Sequence, residues 1–307
     1  MKHPAIIAAA LTAIALHSCF TGIESTPRIT AGEVRRQSAA KPTPEMLFLA
    51  DILPEPPAEW RTGKRFYVSD NRIAKLFSYT DGRSDSLAGT DLIYAGRSGA
   101  PSLTGEGATE IDLVTWRGDT LQYRIDASPE NIAARPRLEI PFTIERAPVE
   151  RADSMMRGHI YYISTPLWRT VDGRNRPGLR HVPVSIERVE PGIDGIYPAA
   201  VIFSHEGDTA MVMMSLGGVA GTPRSFASLF SFTNPRDAFP HISDEVWQLI
   251  VHSRVQHAMT RDECRLALGT PTRTEQIPTT AGMVERWSYG DGIYLIFEDG
   301  ALTSYRL

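Results

Sequence analysis

The chain has 307 residues, which is enough for two or three domains. Its formal net charge is −4, from 32 basic and 36 acidic residues, and the absence of a basic block argues against nucleic acid as a partner. The 22 prolines and 24 glycines favour short strands and many turns, and no apolar run reaches the length of a transmembrane helix.

The first 18 residues have the form of a bacterial lipoprotein signal peptide. Residues 5–16 are apolar but too short to span a bilayer. Leu16 and Ser18 fit the positions of a lipobox, and Cys19 is then the residue that carries the lipid. The alternative is an ordinary signal peptide followed by an incidental cysteine.

A tether and a short helix follow the predicted anchor. Residues 19–42 are polar and show no sustained period, so we interpret them as a flexible tether between the lipid and the fold. Residues 43–57 begin with Thr43 as an N-cap and Pro44 at the first helical position, and end in a Pro-rich link. We expect the apolar surface of this helix to pack on the first β domain.

An internal repeat follows, with its first copy at 58–130, a connecting strand within 131–157 and its second copy at 158–217. Four matches occur in the same order in both copies, which chance similarity rarely produces. The matched pairs are 63–69 with 158–164, 81–83 with 172–174, Gly89 with Gly178, and 112–120 with 201–209.

Each copy has room for about five short strands, a size typical of a small barrel. The Gly-Asp pairs at 118–119 and 207–208 indicate matching hairpin turns. Alternation after those turns places Tyr123 and Val212 on the same face of their strands. The sequence therefore predicts a β-rich, multidomain protein that begins with two tandem SH3-like barrels.

The repeated Asp-Gly-Arg motif supplies two candidate contact residues. Arg83 and Arg174 could each present a guanidinium to an acidic partner or a lipid headgroup. The alternative is that Asp-Gly is simply a turn and that the arginine covers apolar surface. The tract Met211–Met214 is interpreted as a core strand rather than a soft-metal site.

A linker at 218–240 leads to a final domain at 241–307. Thr260 and Glu263 have the spacing of a capping box, and Gly269 ends the helix that they begin. An earlier helix starts near Ser243. Three strand-like runs follow, at 283–289, 293–297 and 302–307. We predict two helices packed on a three-stranded antiparallel sheet.

The motif that starts at Met259 and ends at Pro271, followed by Trp287-x-Tyr289, an aromatic strand and Asp-Gly, resembles the SmpA/OmlA (BamE-like) domain of outer-membrane lipoproteins. The resemblance covers roughly the last quarter of the chain. It implies the fold of that domain and an accessory role beside outer-membrane barrel assembly. Trp287 and Tyr289 are core candidates that could also contact a partner.

The whole chain resembles a Bacteroidota-type envelope lipoprotein. Such proteins, when exported to the cell surface, usually carry an acidic run just after the cysteine. Residues 20–25 contain no such run, which favours the periplasmic face of the outer membrane.

Motifs of the common hydrolases, nucleotide-binding proteins and metal sites are absent from the sequence. We therefore expect a non-enzymatic protein without a cofactor or metal, which is held to the membrane by its lipid and binds an envelope protein. Two alternatives remain open. One is an envelope hydrolase with a site between the two copies. The other is an inhibitor or ligand-binding lipoprotein, since β-lactamase inhibitor proteins have a similar helix-and-meander fold.

Overall fold

The computed structural model describes residues 41–77, 86–101, 107–218, 221–279 and 282–307. Three antiparallel sheets dominate this part of the chain, and within it none of the three closes into a barrel. The β-rich, multidomain class is as predicted, but the sheets are open where the sequence suggested SH3-like barrels.

The first sheet contains five strands: β1 Arg65–Val68, β2 Asp91–Ala100, β3 Ala108–Val114, β4 Thr120–Ile125 and β5 Thr143–Glu145. The second contains seven: β6 Ile160–Ile163, β7 Leu167–Arg169, β8 Asn175–Pro177, β9 Val182–Pro191, β10 Ala199–His205, β11 Asp208–Met214 and β12 Phe230–Ser231. The third contains four: β13 Arg273–Thr279, β14 Gly282–Ser288, β15 Tyr294–Glu298 and β16 Ala301–Arg306.

The α-helices are short. They are α1 Pro44–Leu47, α2 Pro129–Ala133, α3 Arg146–Met156, α4 Phe226–Leu229, α5 Asp244–Val251 and α6 Arg261–Leu268. Short 3₁₀ segments occupy Pro57–Glu59, Asn71–Leu76, Pro235–Ala238 and Gly290–Gly292.

The first two sheets share one arrangement of five strands. The order β4-β3-β2-β1-β5 in the first corresponds to β11-β10-β9-β6-β12 in the second, which adds β7 and β8 beyond β11. Each sheet also has a bulge at the same place in its second strand, at Ala95 and at Glu187. We call residues 63–145 the first unit and residues 158–231 the second unit. Each unit thus includes a fifth strand, β5 or β12, that the sequence-based boundaries left out of both copies.

The hairpins at Gly118 and Gly207 occupy equivalent positions, between the third and fourth strands of each unit. The first turn spans residues 116–118, because the Thr115 amide bonds the Asp119 carbonyl, whereas the second spans only 206–207. Before the turn, the sequence match of 112–114 with 201–203 is therefore wrong by one residue. Leu113 and Phe203 are the equivalent residues, and both are buried in the core of their unit. An alignment shifted by one residue would match each of them with a residue on the opposite face of the strand.

The helix α1 packs on the second unit, and the expectation that it would pack on the first was wrong. Leu49 and Ile52, which follow α1, are 3% and 1% exposed and belong to the same core as Phe226 and Phe230. The chain then crosses to the first unit, where Trp60 is buried. Residues 43–60, which we call the strap, therefore contact both units.

The third domain has the predicted order of elements. The capping box is present: the Glu263 amide donates to Thr260 Oγ1 at 3.3 Å, and the Thr260 amide donates to Glu263 Oε2 at 2.7 Å. Cys264 is fully buried beneath this turn. The sheet has four strands where three were predicted, in the order β13-β14-β15-β16. The extra strand β13 lies at the edge and is mostly exposed, so it lacks the apolar alternation of a half-buried strand.

Candidate functional site

The predicted lipidation site lies outside the described residues. This applies to Leu16, Ser18 and Cys19, and also to Arg83 in the first Asp-Gly-Arg motif. Their roles stay predictions from the sequence.

Trp287 and Tyr289 are core residues of the third domain. Trp287 is 1% exposed and its Nε1 donates to Glu285 Oε1 at 2.6 Å. Tyr289 is 5% exposed, its hydroxyl donates to the Gly269 carbonyl at 3.2 Å, and burial raises the pKa of its phenol. Neither ring is accessible to a partner in this structure, so the core interpretation fits the pair and the partner-contact interpretation does not.

Arg174, by contrast, lies on an exposed turn between β7 and β8. Gly173 makes this turn with a φ of +90°. Arg174 Nε is 2.7 Å from Asp172 Oδ2, and the Arg174 side chain is 79% exposed. The hydrogen bond from Thr170 Oγ1 to Asp172, together with Arg174, lowers the pKa of the Asp172 carboxyl.

Three exposed aliphatic residues lie in this turn and in the loop between β9 and β10. Val171, Ile193 and Ile196 are 46%, 45% and 75% exposed. Ile193 packs directly on the turn, because a Cβ added to Gly173 would lie only 2.7 Å from Ile193 Cδ1. We call Val171, Arg174, Ile193 and Ile196 the Arg174 surface.

The loop that carries Ile193 and Ile196 is held in place by Asp194. Its carboxylate accepts from the amides of Ile196 and Tyr197 at 3.0 and 3.1 Å, and it pairs with Arg169 of β7 at 3.3 Å. This ion pair ties the loop between β9 and β10 to the strand that precedes the Arg174 turn. The Arg174 surface is thus built from two segments joined by polar contacts.

The sequence pointed to Arg174 but not to its apolar neighbours. Val171 stands next to the repeated motif, and Ile193 and Ile196 lie in a loop rich in Gly and Pro. Isolated aliphatic residues in such loops carry no periodic signal. Only the tertiary contact between the two segments shows that they share one surface.

A buried charge cluster occupies the first unit. Lys64 Nζ is 2.6 Å from Glu145 Oε2 and 2.9 Å from Glu55 Oε2, and the Lys64 side chain is only 7% exposed. Burial raises the pKa of Glu145, while Lys64 opposes that rise. The Glu55 amide also donates to Glu145 Oε2 at 3.3 Å. The cluster therefore fixes the strap against β1 and β5, and we interpret it as structural.

The methionine tract is a core strand, as predicted. Met211 and Met213 are buried on one face of β11 with Ala200 and Ile202, and Val212 and Met214 are buried on the other. Within the described part of the chain, no group of three or more His, Cys, Asp or Glu side chains is arranged to hold a metal ion.

Comparison with known proteins gives no match to a family model, a curated protein or a solved structure. No helix among the described residues is both long and apolar enough to cross a membrane.

Proposed function

We propose that this protein is a non-enzymatic lipoprotein of the cell envelope, anchored by Cys19 to the periplasmic face of the outer membrane. It acts as an interaction or assembly module and contacts an envelope protein through the Arg174 surface. The observation that carries the proposal is the exposure of Val171 and Arg174 in one turn, with Ile193 packed on that turn and Ile196 exposed in the same loop as Ile193. Apolar residues next to arginine, with polar groups at the edge, are typical of protein interfaces.

Ion pairs at the edge of the surface support this proposal. Arg176 pairs with Asp208 at 2.7 Å, and Arg169 pairs with Asp194 at 3.3 Å. The Arg176–Asp208 pair, whose side chains are 32% and 71% exposed, contributes little to stability, about 0–1 kcal/mol. Both pairs do orient their side chains, which favours a specific partner over nonspecific apolar association.

The lipid anchor is tested by replacing Cys19. The Cys19→Ala variant should lose fatty-acid label in a feeding experiment and leave the membrane fraction, because no thiol remains to be acylated. A matched Cys264→Ala variant should keep both the label and the membrane location, since the Cys264 thiol is buried. Label that persists in Cys19→Ala would overturn the anchoring proposal.

The binding surface is tested by capture of partners from solubilised envelope after chemical cross-linking. Ile196→Glu and Arg174→Glu should each reduce capture strongly. The control is Ile277→Glu on β13, at a residue that is 40% exposed. Loss of capture only in the control would reject the Arg174 surface and move the contact to the third domain.

The repeated Asp-Gly-Arg motif allows one further comparison in this experiment. If Arg83 presents a second contact, the double variant Arg83→Ala/Arg174→Ala should lose far more capture than either single variant, because linked sites raise each other's effective concentration. Equal loss in Arg174→Ala and in the double variant would leave Arg174 as the only contact of the two.

The role beside outer-membrane barrel assembly rests on the sequence resemblance of the third domain. Captured barrel-assembly components would support it. A different set of captured proteins would keep the interaction module and reject that role.

A further inference from the structure

His181 occupies a backbone position that the first unit fills with glycine. The Gly89 amide donates to the carbonyl of Val68, the last residue of β1, and the His181 amide donates to the carbonyl of Ile163, the last residue of β6. These two bonds make His181, and not Gly178, the counterpart of Gly89. Both residues have positive φ, +84° at Gly89 and +58° at His181.

Only a few per cent of non-glycine residues adopt this conformation, and histidine is among the residue types that adopt it more often than most. Backbone conformations of this kind persist where other contacts maintain them, and they are often found at functional positions. The contacts that the His181 side chain makes are therefore informative.

The imidazole of His181 reaches the third domain. Its Nε2 donates to the Leu266 carbonyl of α6 at 3.1 Å, which fixes the proton on Nε2 because a carbonyl only accepts. Its ring centroid is 5.8 Å from that of Trp247 on α5. The same side chain thus contacts both helices of the third domain.

The preceding residue adds further bonds to this contact. The Arg180 amide donates to the Val251 carbonyl at 2.9 Å, and Arg180 Nε donates to Ser253 Oγ at 3.1 Å. Arg180 Nη1 donates back to the Ser164 carbonyl in the second unit at 2.8 Å. We call Arg180 and His181, with these partners, the His181 junction.

The environment of the imidazole disfavours a second proton. His181 Nδ1 is buried and has no hydrogen-bond partner in the part of the chain that the structure describes. Burial lowers the pKa of His181 to about 4; the hydrogen bond to the Leu266 carbonyl opposes this shift, and the Arg180 charge adds to it by a smaller amount.

The described groups that face His181 offer no free acceptor for a proton added to Nδ1. From α5 and α6 they are the Trp247 ring and the Leu266 carbonyl, which is already used by Nε2. Two ionisable groups of neighbouring segments lie one contact further away. Tyr289 interacts with the Arg180 charge, and burial raises the pKa of its phenol, so it stays uncharged in acid. The Arg236 guanidinium lies 5.0 Å from the Trp247 ring centroid, and Arg180 is the only charge described as acting on the imidazole itself.

We propose that the His181 junction is an acid-sensitive latch, which holds the third domain on the second unit while the imidazole is neutral and releases it on protonation. The sign follows from linkage. The docked state binds the proton more weakly than the released state, in which His181 regains its ordinary pKa of 6.5. Docking is therefore fully supported above pH 6.5 and is lost as the pH falls toward 4.

The test uses the full chain and the variant His181→Asn. Asparagine tolerates positive φ and does not titrate, so this variant keeps the backbone conformation of residue 181 and removes its protonation. Hydrogen exchange, corrected for intrinsic rates, is measured at pH 7.5 and 4.5 in peptides that cover Arg180 and α6. Peptides from β2 and β3 serve as the internal reference.

The wild-type protein should lose protection at the junction by more than ten-fold at pH 4.5, relative to the reference peptides. His181→Asn should lose no more than the reference, and the control His252→Asn, at an exposed position near the same contact, should behave as wild type. An equal loss in His181→Asn and wild type would overturn the latch.

A second measurement does not depend on the variant folding. An NMR titration of the assigned His181 imidazole in the wild-type protein should show no protonation until the pH falls below about 5, with the junction amides shifting at the same pH. Protonation near pH 6.5, or protonation that leaves the junction amides unchanged, would overturn the proposal.

Discussion

Replacing Lys64 by methionine should destabilise the first unit by about 3–5 kcal/mol at pH 8, the usual cost of removing one partner of a buried ion pair. Methionine keeps most of the apolar stem, so little packing is lost. What remains is the Glu145 carboxylate, whose side chain is 10% exposed and which loses a cation 2.6 Å away. The Glu55 carboxylate contributes less to the deficit, because it is 49% exposed.

The deficit should depend on pH in a defined direction. Burial raises the pKa of Glu145 above its ordinary value of 4.5 even beside Lys64, and removal of Lys64 raises it further. The folded variant therefore retains a proton that the unfolded chain releases. Its stability is intact below pH 4.5 and falls as the pH rises through the raised pKa, so the deficit is small at pH 4.5 and large at pH 8.

The assay is urea-dependent hydrogen exchange in peptides that cover β1 and β2, because it reports on this sheet alone. The double variant Lys64→Met/Glu145→Met removes both charges and should recover to within about 1 kcal/mol of wild type. Arg137→Met is the matched surface control. It breaks a 3.0 Å pair to Glu139 whose side chains are 66% and 73% exposed, and should cost no more than about 0.5 kcal/mol.

Two outcomes would refute the reasoning. One is a Lys64→Met deficit that does not change with pH, since that would assign the loss to packing. The other is a double variant as unstable as the single one, since an unpaired buried carboxylate could not then be the cause.

Two further substitutions test local packing and helix capping. Gly178→Ala should lower the free energy of unfolding of the second unit by about 1–3 kcal/mol, because the added Cβ would lie 2.2 Å from the buried Trp168 ring. Urea titrations measure this change. The control is Gly96→Ala, since there is open space at that position. Thr260→Ala should cost the third domain about 0.5–2 kcal/mol through the lost N-cap and leave both units unchanged by hydrogen exchange, whereas Thr260→Ser keeps the hydroxyl and should stay within about 0.5 kcal/mol.

Local signals in the sequence predicted local structure well. The capping box at Thr260 and the hairpins at Gly118 and Gly207 all lie where the sequence placed them. In each case a few neighbouring side chains and the φ requirement of glycine determine the outcome, so no distant contact is needed.

The errors arose where a distant contact decides the structure. Gly178 was matched to Gly89 because both are glycine, but the hydrogen bond to the end of the first strand belongs to His181 in the second unit. The third domain binds the side chain of this histidine, and no local pattern in the sequence predicts that contact. The same holds for Leu49 and Ile52, whose apolar character was evident but whose core includes Phe226 and Phe230, far along the chain.

The Arg174 surface shows the same difference between what local signals predict and what distant contacts decide. The Asp-Gly-Arg motif identified Arg174, since turn chemistry is local. Its neighbours Ile193 and Ile196 belong to another loop, and the contact between Ile193 and Gly173 depends on how two hairpin ends meet in the folded sheet.

The strap also determines when folding of the second unit can finish. Leu49 and Ile52 share their core with Phe226 and Phe230, so contacts of very long sequence separation complete the second unit. Such contacts have a large loop-closure cost and slow the final step of folding. At synthesis rates of about 5–20 residues per second, roughly 10–40 s separate the two partners. A fragment that stops at residue 217, as the sequence-based boundary would suggest, keeps the strap but lacks α4 and β12. It would lack Phe226 and Phe230, which belong to the same core as Leu49 and Ile52.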